Sequence, residues 1–279
     1  MMLVRKCLKG ACEFFPDWKT GMHAPSLDPL RNHLLAALPE PDFALVATHL
    51  ATASMPAGKI LNEADDSMQQ VYFPLKGMLS LLAVLKNGKA IETATVGREG
   101  VVNAMAGLGL RTSGVRVVVQ LPLDVAMISA PHFADAAARS DGIRNMCIRY
   151  NEILLTQARV TALCNAIHPV EERFCRWLLQ SSDRAESSTV HLTQELLSEM
   201  LGVRRTSITQ VAQKIQDTGA IAYSRGVIEI LNRPLLMKLC CECYQTLSDR
   251  TAALAEPLQR PPGVDFGRPA APAVHFDAQ

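Results

Sequence analysis

Two short apolar stripes of helical period, separated by a glycine, constrain this chain more than any other feature. Leu196, Leu197, Met200 and Leu201 form the first stripe. Gly202 follows, and Ile208, Val211, Ala212 and Ile215 form the second at i, i+3, i+4, i+7. Thr193 is a good N-cap for a helix Gln194–Leu201, and a second helix is expected over Arg205–Asp217. Ser198 is small where two helices must cross, and Gly202 permits the tight turn. Ile208 plugs the crossing, the spacing of a helix-turn-helix.

The second helix turns outward Arg204, Arg205, Thr206, Thr209, Gln210, Gln213 and Lys214, with no acid before Asp217. A helix that only meets solvent usually mixes both signs of charge. Arginine, glutamine and hydroxyl groups are instead the set that reads base edges and phosphates in a major groove, and the helix N-terminus adds positive potential. Ile221-Ala222-Tyr223, the turn Ser224-Arg225-Gly226 and Val227–Leu231 then make a hairpin with Arg225 at its tip, placed to touch the nucleic-acid backbone. A winged helix that binds DNA is the expectation.

Upstream, Met55–Ile128 reads as short strands and turns. Lys86-Asn87-Gly88-Lys89 lies between Leu79–Leu85 and Ile91–Val96, a strong hairpin signal. Pro56-Ala57-Gly58, Lys76-Gly77 and Gly97-Arg98-Glu99-Gly100 mark further turns. Ser129-Ala130-Pro131 opens a helical region in which Ile143, Cys147, Tyr150, Leu154, Gln157, Thr161 and Cys164 recur at alternating spacings of 4 and 3. A seam of this kind packs a helix against a partner helix or against its own domain, and the partner role is expected. His168-Pro169 breaks the helix, and Val170–Gln180 continues as another before a polar linker Asp183–Thr189. The domain plan is a leader (1–26), a sensor roll (27–131), a dimerisation helix (132–167), a winged-helix domain (168–250) and a Pro/Ala-rich disordered tail (251–279). Met22, just ahead of the first helical pattern Leu27–Leu38, is a candidate biological start.

The chain of 279 residues, 48% hydrophobic and 20% charged, has an ordinary globular composition with room for two cores. Its longest near-continuous apolar stretch, Met78–Leu85, is interrupted by Ser80 and falls far below the roughly 18 residues of a membrane helix. Residues 1–18 carry early cations but no apolar core of a signal peptide, so a cytoplasmic location with reduced thiols is expected. Net charge is +1, and His168–Leu235 holds eight basic and eight acidic residues, so the positive surface is confined to one helix face.

The roll-like strands, the long helix and the run Leu192-Thr193-Gln194-Glu195 with Leu201-Gly202-Val203-Arg204-Arg205 together resemble the Crp-Fnr transcription regulators over about residues 30–250. The resemblance implies an α+β fold: an N-terminal antiparallel β-roll of the cyclic-nucleotide-binding kind, a long dimerisation helix and a C-terminal winged helix-turn-helix. It implies a homodimer on a near-palindromic double-stranded DNA operator, with RNA polymerase a candidate further partner. The family's base-reading positions fall on Arg205, Thr206 and Gln210. Its phosphate contacts fall on Ser207 and Thr193. Thr206 stands where glutamate is frequent and Gln210 where arginine is, so the operator should differ from the catabolite-activator consensus. Arg204 replaces the usual Ser or Thr cap.

For cyclic AMP the family uses an arginine on the phosphate and a Gly-Glu pair on the ribose. Alignment through Val125-Ala126-Met127-Ile128 puts Ser113 at the first position and Asn103-Ala104 at the second. An unpaired phosphate there is costly, so the sensor is expected not to take cyclic AMP. The alternatives are a cyclic-nucleotide receptor using Arg111 or Arg116, or a thiol-responsive regulator. Cys7 and Cys12 alone lack the thiolate count of an iron–sulfur cluster, and no histidine lies between His49 and His132 to ligate haem or a barrel metal. Cys240 and Cys243 have C-x-x-C spacing in a segment that reads as helical and structural. His23, His33, His168, His191 and His275 show no metal or triad spacing. No cofactor, no metal and no catalytic residues are expected, and the G-x-S-x-G, phosphate-loop and H-E-x-x-H motifs of common enzymes are absent. A roll acting as an enzyme, with merely structural C-terminal helices, is the reading from another class.

Overall fold

The computed structural model describes residues 27–192 and 194–255. The leader (1–21 with Met22 through 26), Thr193 and residues 256–279 lie outside them. The expected first helix over Leu27–Leu38 is divided. A 3-10 turn Pro29–Arg31 is capped by Asp28, and α1 (His33–Ala36) by Asn32. The division has a physical cause. Buried Asn32 accepts from Leu34 N and Leu35 N while its amide donates to Pro74 O (3.0 Å) and Gly100 O (2.8 Å), which ties the entering chain to the roll. Helix α2 (Glu40–Ala47) follows.

The roll consists of β1 (Ala51–Met55), β2 (Ile60–Asn62), β3 (Gln70–Val84), β4 (Ala90–Val96) and β5 (Arg116–Ser129), with the order β1-β5-β3-β4 and β2 also on β5. Every pairing among them is antiparallel. The long strands β3 and β5 are rich in Val and Leu, with Tyr72 and Phe73 in β3, and are buried along most of their length, as central strands should be. The Asn87-Gly88 hairpin forms as expected. Gly88 N donates to Leu85 O, and Asn87 Oδ1 accepts from Lys89 N.

Ser129 caps α3 (Ala130–Arg139), with Pro131 in its first turn. The continuous dimerisation helix expected over 132–167 is broken at Ser140, whose side chain accepts from Ile143 N and starts α4 (Asp141–Ile167) afresh. The 4-3 seam does not face outward. Ile143, Cys147 and Tyr150 are buried in the roll's own core, with Leu154 packed against it. Gln157 Oε1 accepts from Thr95 N, and Cys164 packs in a small cluster with Leu247. Thr161 is half-buried. The opposite face carries the exposed apolar residues Ile148, Leu155, Leu163 and Ile167.

Helix α5 (Val170–Ala185) runs past the expected end at Gln180, so Asp183 and Arg184 are helical rather than linker. Three short strands, β6 (Thr189–His191), β7 (Ile221–Ser224) and β8 (Val227–Ile230), pair in the order β6-β8-β7. Helices α6 (Gln194–Leu201) and α7 (Arg205–Asp217) lie between β6 and β7, and α8 (Arg233–Lys238) and α9 (Cys243–Ala255) close the described chain. Helix α9 carries order five residues beyond the expected start of the tail, because Cys243 and Leu247 anchor it to α4.

The winged helix does not stand apart from the roll. Met78, Leu82 and Leu121 of β3 and β5 share one core with Phe174, Trp177, Leu178, Leu197 and Met200. Polar groups fix the same contact: Trp177 Nε1 donates to Glu92 Oε1 (3.0 Å), Ser80 Oγ donates to Glu92 Oε2 (2.6 Å), and Arg184 pairs with Glu99 (2.8 Å).

Candidate functional site

Helix α7 is held by its buried stripe Ile208, Val211, Ala212 and Ile215, all four as the spacing predicted. The turn before it depends on Gly202, whose φ of +64° is left-handed backbone that an L side chain disfavours, and Val203 N donates to Ser198 O to close it. With one face buried, Arg204, Arg205, Thr206, Thr209, Gln210, Gln213 and Lys214 are exposed, and Ser207 is half-buried. The far end is partly engaged within the chain. Gln213 Nε2 donates to Asp217 Oδ1 (2.7 Å) and Lys214 Nζ to Glu171 Oε1 (2.7 Å). Arg204 occupies the N-cap without a side-chain capping bond, and Ser207 N in the first turn donates to Arg204 O (2.9 Å).

Ser224 pairs with Val227, so the wing turns on Arg225 and Gly226, both with positive φ (+50° and +79°), as a two-residue hairpin requires. Arg225 is thereby exposed at the tip. Gln194, Arg205, Tyr223, Arg225 and Gly226 line one open groove, which brings the arginine of the reading helix and the arginine of the wing together. Thr193 lies outside the described residues.

In the roll, Asn103, Ala104 and Ser113, far apart in sequence, line one cavity with Met68, Leu81, Tyr150 and Leu154. The cavity encloses about 150 Å3, below the roughly 300–1,000 Å3 of ordinary ligand pockets, and no charged side chain lines it. Ser113 is buried and donates to Val115 O (2.8 Å), and Asn103 Nδ2 donates to Gln70 O (2.9 Å). Arg116 is held by Glu63 (2.7 Å) at the other side of the strand ladder, and Arg111 is exposed outside the cavity lining. Burial pushes the Cys147 and Cys175 thiols up to about 12, so neither is a reactive thiolate.

The C-terminal cysteines differ from their sequence reading. Cys240 and Cys241 lie not within a helix but in the turn between α8 and α9. Cys241 and Cys243, rather than the C-x-x-C pair, converge with Cys164 and His168 from the end of α4. The four ligand-type atoms lie within 4.8 Å of one another. The sequence carried two separate signs of this, the i, i+4 placement of Cys164 and His168 and the dense run Cys240-Cys241-Glu242-Cys243, but no spacing joins them across more than seventy residues.

Comparison with known proteins agrees with this geometry. The cyclic nucleotide-binding domain family matches residues 52–140 and the Crp-like helix-turn-helix domain family matches residues 172–239. Among solved structures, a crp/fnr-family transcriptional regulator from Eubacterium rectale superposes with a TM-score of 0.60 at 19% identity, covering 74% of this chain and 96% of its own. FixK2 from Bradyrhizobium japonicum gives 0.58 at 16% identity, covering 69% and 98%. The c-di-GMP-responsive global regulator CLP of Xanthomonas campestris gives 0.56 at 16% identity, covering 69% and 99%. No curated protein matches. A cyclic-nucleotide-binding-like roll followed by a Crp-like helix-turn-helix defines a two-domain transcription regulator. The chain belongs to the Crp-Fnr family. Among the described residues no helix is long and apolar enough to cross a membrane.

Proposed function

We propose that the protein is a homodimeric, sequence-specific DNA-binding regulator whose sensor roll does not take cyclic AMP. The observation that carries this is the pairing of an exposed reading face on α7 that carries no acidic residue before Asp217 with a roll cavity that has no charged lining. Arg205 is the residue for guanine O6 and N7, and Thr206 and Gln210 read adjacent bases. Arg204, Ser207, Thr209 and Arg225 serve phosphates, and Gln213 and Lys214 join them if Asp217 and Glu171 release them. Thr193 is assigned to phosphate by family resemblance alone.

The dimer face is assigned to Ile148, Leu155, Leu163 and Ile167, since the 4-3 seam is already used inside the chain. A second copy is the occupant because a near-palindromic operator needs two reading helices about one DNA turn apart. A signal at the roll acts through the Glu92–Trp177 and Glu99–Arg184 contacts and the α4–α5 joint, shifting the population of dimers with matched half-site spacing. RNA polymerase remains a candidate partner of the bound dimer. The pocket and the raised thiols favour neither a cyclic-nucleotide receptor using Arg111 or Arg116 nor a Cys147 redox sensor.

DNA selection with purified protein, with and without cyclic AMP, tests the reading, followed by a salt titration on the enriched site. A palindromic site enriched without nucleotide, with binding that falls steeply as salt rises, is the expected result. Enrichment only with nucleotide, or thermal stabilisation by cyclic AMP, would overturn the sensor assignment.

A further inference from the structure

We infer that Cys164, His168, Cys241 and Cys243 form a tetrahedral Zn2+ site that fastens the end of α4 to the start of α9. The geometry is already that of a ligand set. Cys164 Sγ lies 3.6 Å from Cys241 Sγ, and Cys243 Sγ lies 3.6 Å from His168 Nδ1. Metal–sulfur bonds of about 2.3 Å and a metal–nitrogen bond of about 2.0–2.1 Å give tetrahedral edges of about 3.8 Å between sulfurs and about 3.5 Å between sulfur and nitrogen. All three cysteines are buried, as closed structural sites require.

The outer surroundings fit as well. With Nδ1 facing the sulfurs, His168 Nε2 meets Glu242 Oε2 at 3.2 Å, the carboxylate–histidine arrangement that orients a metal-bound imidazole. Three thiolates, one neutral imidazole and Zn2+ sum to a net charge of −1. Arg173 and Arg176, buried on the neighbouring α5, make no ion pair with a carboxylate among the described residues, and each leaves its Nε without a partner. They supply the compensating charge. On binding, the three thiol protons leave to solvent and no electrons move.

The position gives the site its role. His168 is the residue at which α4 ends, and Pro169 begins the approach to α5. The apolar cluster around it is small, comprising Val160, Leu247 and the cysteines themselves. Few apolar contacts fasten the end of α4 to α9, and a metal there fixes how these two helices meet beside the α4–α5 joint.

The test uses full-length protein purified in reducing buffer without chelator. Elemental analysis should find close to one Zn2+ per chain. Chelator-stripped protein given Co2+ should show the visible absorption of a tetrahedral thiolate-bound ion. Cys243→Ala should lose the metal, whereas Cys147→Ala, in the roll core, should keep it. If Cys243→Ala fails to fold, Glu242→Gln serves instead. It leaves every ligand in place and should weaken Zn2+ affinity by about 10–100-fold. Wild-type protein that carries no metal and takes up neither ion would overturn the inference. So would equal metal loss in Cys147→Ala, or a Cys164–Cys241 disulfide in freshly isolated protein.

Discussion

Replacing Glu92 by glutamine should stabilise the protein above neutral pH and flatten the pH dependence of its folding. Glu92 is buried where the roll meets α5, and burial pushes its carboxyl from 4.5 up to about 7. The hydrogen bond from Ser80, the Arg176 charge, the hydrogen bond from Trp177 and the Arg184 charge only partly oppose this. The folded value is the higher one, so between these limits the folded protein holds a proton that the unfolded chain has released. The resulting stability is fully present below pH 4.5 and lost as pH rises through about 7. At about 1.4 kcal/mol per pH unit, that interval amounts to about 3 kcal/mol. Glutamine reproduces the protonated acid. Its Oε1 can accept from Trp177 Nε1, and its amide can donate to Ser80 Oγ, whose own hydrogen then turns to Met200 Sδ at 3.5 Å. Urea unfolding followed by tryptophan emission, from about pH 5 to about pH 8, should show the two proteins converging in acid and separating by about 3 kcal/mol in base. A variant destabilised equally at every pH would refute the reasoning. It would mean that Glu92 is ionised in the native state and holds the domains through its charge.

Arg205→Ala should cost about 1–3 kcal/mol on the selected operator and flatten preference at one base pair, whereas unchanged binding would remove Arg205 from base reading. Arg225→Ala should weaken binding uniformly across sequences and lower the salt slope by about one, measured by fluorescence anisotropy at several salt concentrations. Leu155→Glu, at an exposed point on α4, should convert dimer to monomer in analytical ultracentrifugation while leaving the monomer folded, and a dimer that persists would place the interface elsewhere.

The reading helix was legible because its determinants are local. One turn glycine and a four-residue stripe fix α7 whatever surrounds it, and what the core does not take must face outward. The long helix was legible only in part. A 4-3 pattern records that a face is buried but not what buries it. Here the roll itself covers Cys147 and Tyr150, and Gln157 is spent on Thr95 N. The hydrophobic spacing also runs through Ser140 without a sign that its side chain would cap a new helix. The sensor positions Asn103, Ala104 and Ser113 were placed by family resemblance, and they do meet in one cavity. Contacts between distant segments left no trace in any periodicity. Glu92 and Trp177 are 85 residues apart, and the Cys164–Cys241 approach spans 77. Such pairs follow from topology, which sets which strand end meets which helix.

The core shared by Met78, Leu82 and Leu121 with Trp177 and its neighbours has a practical bearing on rebuilding such proteins. Grafting this reading domain onto another sensor would strand its apolar underside against a foreign roll. A chimera made at the Pro169 junction should therefore express poorly and aggregate unless those three roll residues are transplanted with it. Inheritance of the two halves is tied for the same reason: a substitution at Leu82 presses on the DNA-reading half as directly as one at Leu197.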